Sequence, residues 1–99
     1  MIEIALADLA RAVDEAVAAV PGVGRLFASG VRAAVGTSTG TPAPLSTVTR
    51  RLASYDVIVA IEATGGPAGA VAAEAAAAAA TALPPGARVT VRVARAVVD

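Results

Sequence analysis

Between Pro67 and Ala82 the chain is almost pure alanine, with only Glu74 and Thr81 carrying polarity, and this run sits between strong breakers. Thr64-Gly65-Gly66-Pro67 precedes it, placing Gly66 at a cap and Pro67 at a first helical position. Leu83-Pro84-Pro85-Gly86 follows and cannot continue a hydrogen-bonded helix. Alanine has the highest helix propensity, so the segment is a helix and nothing else. On either side lies a valine-rich run. Val57-Ile58-Val59-Ala60-Ile61 is β-branched and apolar on both faces, as a central strand is, whereas Val89, Val91 and Val93 alternate with Thr90, Arg92 and Ala94, which predicts a strand with one solvated face.

The N-terminal part repeats the theme. Ile2 to Ile4 alternates like a short strand, and Leu6, Leu9, Val13, Val17 and Val20 then recur at helical spacing, so the first helix is expected from about Leu6 to Val20. Asp8, Arg11, Asp14 and Glu15 form its solvent face, with Asp8 suited to the positive end of the helix dipole. Pro21 and Gly22 stop the helix. Val23 to Ala28 reads as a second strand. From residue 29 to residue 46 the chain turns rich in Gly, Ser, Thr and Pro, predicting a flexible loop most mobile over Gly36–Pro44, and Val48 to Leu52 is a short basic lead into the central strand.

The resulting order is β-α-β-β-α-β. Two helices with apolar stripes are both buried if they pack on one face of a small, mainly antiparallel sheet, so the expected fold is an α+β two-layer sandwich, ferredoxin-like or related. Ninety-nine residues support one core, hence a single domain over residues 1–99. With 57% hydrophobic residues but only 2% aromatic, that core is built from Ala, Val, Leu and Ile, with Phe27 and Tyr55 expected as anchors.

Chemistry is constrained by absence. The sequence holds neither Cys nor His, which excludes thiolate and imidazole catalysis and nearly every zinc site, so no metal or redox cofactor and no enzyme activity are expected. Eight arginines balance eight carboxylates, giving a formal net charge of zero. Arg50, Arg51, Arg88, Arg92 and Arg95 can meet on a sheet surface, but with one Phe and one Tyr for base stacking and no net positive charge, nucleic acid is not an expected partner. Asp14 and Glu15 diverge around the helix and read as surface charge. Met1-Ile2-Glu3 lacks the basic start of a signal peptide, and charges interrupt every apolar stretch, so a cytoplasmic chain without a membrane span is expected.

Two segments are candidates for binding. Gly65, Gly66 and Gly69 open the second helix, where free backbone amides can hold an anion, although a turn and helix cap account for the same residues. Gly36 to Thr41 lacks the lysine and the context of a phosphate loop. The alanine helix has almost no polar face, so Val71, Glu74, Ala75 and Ala78 are candidates for a self-association or partner interface; the competing reading is that alanine only maximises helix propensity.

The opening Ile2-Glu3-Ile4, the helix ending in Val20-Pro21-Gly22-Val23 with Arg25-Leu26 beyond, the Val57–Ile61 strand and the closing Val89-Thr90-Val91-Arg92-Val93 together resemble the alkaline shock protein family of bacterial envelope stress response proteins. The likeness spans nearly the whole chain. Small metal-chaperone domains share Val-Pro-Gly-Val after a helix, but they carry a Cys-x-x-Cys pair. The family's usual tyrosine-glycine turn before the second helix is here Thr64-Gly65-Gly66. The resemblance implies a non-enzymatic structural or interaction module, recruited to the inner face of the membrane by a small membrane-anchored partner and forming homo-oligomers. The other function considered is a small-molecule or anion-binding regulatory domain using the Gly65–Gly69 helix start.

Overall fold

The computed structural model describes residues 5–28 and 44–97. Two helices, α1 (Leu6–Ala18) and α2 (Ala68–Thr81), accompany four strands, β1 (Val23–Phe27), β2 (Thr47–Arg51), β3 (Ser54–Thr64) and β4 (Arg88–Val97). The expected strand at Ile2–Ile4 and the loop over 29–43 lie outside the described residues. Among those described, the order is α-β-β-β-α-β.

β3 organises the sheet. Strands flank its eleven residues along both edges: β4 runs parallel beside Asp56–Thr64, while on the other edge β2 pairs antiparallel with Ser54–Ile58 and β1 antiparallel with Ala60–Ala63. β1 and β2 therefore lie end to end, like one strand interrupted by residues 28–46. Two of the three pairings are antiparallel. In a ferredoxin-like sheet the two strands joined by the second helix flank another strand; here β3 and β4 are direct neighbours, which makes this a related two-layer α+β arrangement.

Alternation along β3 assigns its faces. Val57, Val59, Ile61 and Ala63 point to the side where Val13 and Val17 of α1 and Val71, Ala75 and Ala79 of α2 meet them, so both helices cover one face. Val23, Leu26, Val48, Val89 and Val91 pack against this cluster from the other strands. Ile61, Val13, Val17, Val57 and Val59 are its largest fully buried side chains, each contributing about 1.5–3 kcal/mol of apolar burial. The core is aliphatic, as composition requires. Phe27 and Tyr55 are only half-buried and are not part of it. Phe27 pairs in register with Ala60, which turns its ring to the helix-free face, and Tyr55 sits near the sheet's end opposite Arg50.

The helix boundaries follow their breakers. α1 ends at Ala18, two residues before the expected Val20, because the chain tightens there: the Val20 N–H reaches the Val17 carbonyl, an i→i+3 bond, ahead of Pro21. Gly22 then adopts φ 94°, and a Cβ there would lie 2.9 Å from Val71 Cγ2. Its carbonyl accepts the Thr64 N–H at 2.7 Å and the Thr64 hydroxyl at 3.2 Å. Val20-Pro21-Gly22-Val23 thus joins the end of α1, the end of β3 and the first turns of α2 at one point.

The middle of the chain differs from expectation at two places. Val48 to Leu52, read as a basic lead-in, contains β2, and its pairing with Ser54–Ile58 forms a hairpin whose two-residue turn is Leu52-Ala53. Leu45 and Ser46, at the tail of the expected loop, are tied down. Asp14 accepts the N–H groups of Leu45 at 2.8 Å and Ser46 at 2.9 Å, and the buried Ser46 hydroxyl donates to the Ala10 carbonyl at 2.9 Å. Asp14 is a structural clamp that positions the start of β2.

Candidate binding surface

The face of the sheet opposite the helices collects the arginines. Register pairs share a face, so Arg25 beside Glu62, Arg51 beside Ser54, Arg88 beside Asp56, Arg92 beside Ala60 and Arg95 beside Glu62 all project from the helix-free side. All five are exposed. Arg50, expected with them, pairs with Tyr55 and belongs to the helix-bearing face. Arg25 takes its place, an addition that nothing short of the β1–β3 register could have supplied.

Among the described residues only two carboxylates, Asp56 and Glu62, share this face, and both are engaged. Arg51 Nη1 lies 2.9 Å from Asp56 Oδ2, and Arg95 Nε lies 3.6 Å from Glu62 Oε2. The Arg25 guanidinium sits 5.2 Å from the centroid of the Phe27 ring, within cation–π range. Arg88 and Arg92 have no ion-pair partner among the described residues. The helices carry the opposite balance: Asp8, Asp14, Glu15 and Glu74 against Arg11, with Arg11 Nη1 3.6 Å from Asp8 Oδ1. A net charge of zero therefore hides a segregated surface, basic on the sheet and acidic on the helices.

At one end of the sheet a shallow groove of about 260 Å³ lies between the β2–β3 turn and the loop at Gly86. Its polar groups largely satisfy one another, because Ser54 Oγ donates to the Gly86 carbonyl at 2.7 Å and Asp56 holds Arg51. Leu52 stands at its rim, 98% exposed and at φ 48°.

The residues singled out on α2 divide. Val71 and Ala75, at 6% and 0% exposure, belong to the protein's own core and cannot serve as an interface in the folded chain. Ala78 is half-buried and Glu74 exposed. The outward surface of α2 is formed by Glu74, a member of the expected set, together with Ala70, Ala73 and Ala77, which are not. With valine at only one position and alanine nearly everywhere else, periodicity offered no means of choosing the buried stripe.

The Gly65–Gly69 segment is an open turn. Gly65 needs glycine for its φ of 67°, while a Cβ at Gly65, Gly66 or Gly69 would meet nothing within 4 Å. Pro67 caps α2 without any side-chain hydrogen bond, and the first turn holds no acidic residue. A turn and a helix start account for these glycines.

Among the described residues no group of three His, Cys, Asp or Glu side chains is placed to hold a metal ion, and no helix is long and apolar enough to cross a membrane. Comparison with family models, with curated proteins and with solved structures gives no match.

Proposed function

We propose that this chain is a non-enzymatic interaction module of the envelope stress type, brought to the inner face of the membrane by a small membrane-anchored partner and associating with further copies of itself. The observation that carries the reading is the segregated surface: one sheet face rich in arginine that no helix of the described residues covers, opposite a helix layer rich in carboxylates. Such a surface attracts and orients a charged protein partner, and electrostatic complementarity acts chiefly on encounter and specificity. A basic face and an acidic face on one chain also suit head-to-tail association between copies. The outward alanines of α2 add a smooth surface with a single charge, Glu74. The resemblance in residue order supplies the biological setting, and the lack of Cys and His removes the commonest catalytic groups. The alternative, a regulatory domain binding an anion at Gly65–Gly69, rests on the open start of α2 alone.

Deletion of the gene followed by alkaline or cell-wall stress tests the proposal. Loss of stress tolerance should be restored by the wild-type chain, and not by a chain carrying Arg25→Glu, Arg88→Glu and Arg92→Glu, produced at the same level. Full rescue by that variant, or no stress phenotype on deletion, contradicts it.

A further inference from the structure

β4 has a neighbour on one side only. It pairs with β3, and among the described residues no strand lies along its other edge. The backbone N–H and C=O groups directed away from β3 therefore find no strand partner among the described residues. Such a row is a template for any extended chain that can reach it. A break in register between Ile61 and Glu62 leaves Ala94 as an extra residue in β4, so the regular stretch is Arg88–Val93, in step with Asp56–Ile61. That is the length of an ordinary strand. It holds neither proline nor glycine.

The two sides of this stretch differ. Val89 and Val91 are half-buried against the core and Val93 is exposed beyond them, while Arg88, Thr90 and Arg92 face outward on the helix-free side. The nearby acids do not answer these arginines, since Asp56 is held by Arg51 and Glu62 by Arg95. β4 itself contains three arginines and no carboxylate. Pairing with a second β4 would bring two arginine-rich strands together, and like charges across a sheet are destabilising. Complementary charge selects an acidic strand instead.

We propose that the outer edge of Arg88–Val93 is a strand-addition site for an extended acidic segment of a partner protein, in which carboxylates alternate with apolar residues. Main-chain hydrogen bonds provide the attachment. The carboxylates lie beside Arg88 and Arg92, and the apolar residues extend the core layer next to Val89 and Val91. This proposal rests on the interaction-module reading and specifies the partner's chemistry.

The test is a titration of the ¹⁵N-labelled full chain with a synthetic peptide of alternating glutamate and valine, matched in length to Arg88–Val93. Amide shifts should move first in β4, and affinity should fall by at least about tenfold for Arg88→Glu/Arg92→Glu, or when alternate peptide amides are N-methylated to block edge pairing. The N-methylated peptide keeps the test valid even if the variant is impaired in folding. Equal binding of the N-methylated peptide or of a lysine-valine peptide overturns the proposal. So do shifts confined to α2, or protection from exchange of the outward β4 amides that rises with protein concentration without peptide, which would identify a second copy paired along the edge rather than docked on the face. Failure here with the stress phenotype intact removes the edge site and leaves the module reading standing; peptide binding without a stress phenotype does the reverse.

Discussion

β3 and β4 are adjacent, parallel and similarly rich in valine, yet they live in different environments. On the shared rung Ile61 is 0% exposed and its partner Val93 37%. Burial here is set by neighbours rather than by residue type. β3 has strands along both edges and helices over one face, whereas in β4 only Val89 and Val91 pack against the core and every residue from Arg92 to Val97 is exposed. A strand enclosed in this way carries stability; one left open on its outer edge is available for contact.

Truncation on that rung should separate the two roles most strongly. Ile61→Ala removes side-chain volume from a fully buried site with little room to collapse, and a loss of about 2–5 kcal/mol is expected in urea unfolding. The contrast can also be reduced from the other side. Asp14→Ala frees the N–H groups of Leu45 and Ser46 that hold the entry to β2, so one edge of β3 loses its support. The expected cost is about 1.5 kcal/mol, at the low end for hydrogen bonds to a charged group because Leu45 is exposed. Ser54–Ile58 amides should then exchange faster than Ala60–Ala63 amides, which remain paired with β1. The smallest effect is expected at Val93→Ala, about 0.5–1 kcal/mol in the same unfolding experiment, since its side chain is already partly in water. Equal losses at Ile61 and Val93 would mean that the edge strand is covered.

The difference between these strands was legible in the residues themselves. Ile58 and Ala60 make β3 apolar on both faces, while Thr90 and Arg92 make β4 polar on one, and the breakers around α2 place that helix within a residue or two. Other features depended on signals the chain does not display. The β2–β3 hairpin turns at Leu52-Ala53, with Leu52 in the left-handed region at φ 48°, a place usually taken by Gly, Asn or Asp. Without a turn signal, Thr47-Val48-Thr49 could not be recognised as one arm of a hairpin, although its β-branched residues suit a strand. The arginine face was only half visible. Alternation in β4 groups Arg88 with Arg92, but the bulge at Ala94 brings Arg95 to the same side, and Arg25 joins them through a pairing distant in sequence. The buried stripe of α2 was invisible because alanine packs and faces solvent with nearly equal ease.

Amide hydrogen exchange distinguishes an enclosed strand from an open one beside it. In Arg88–Val93 the amides that reach β3 should be protected and the alternate amides, which point to the open edge, should exchange rapidly, giving a period of two. Val57, Ile58 and Ala60–Ala63, which have partners on both edges, should be protected without alternation. Uniform protection along Arg88–Val93 in the isolated protein would show instead that the outer edge is already occupied.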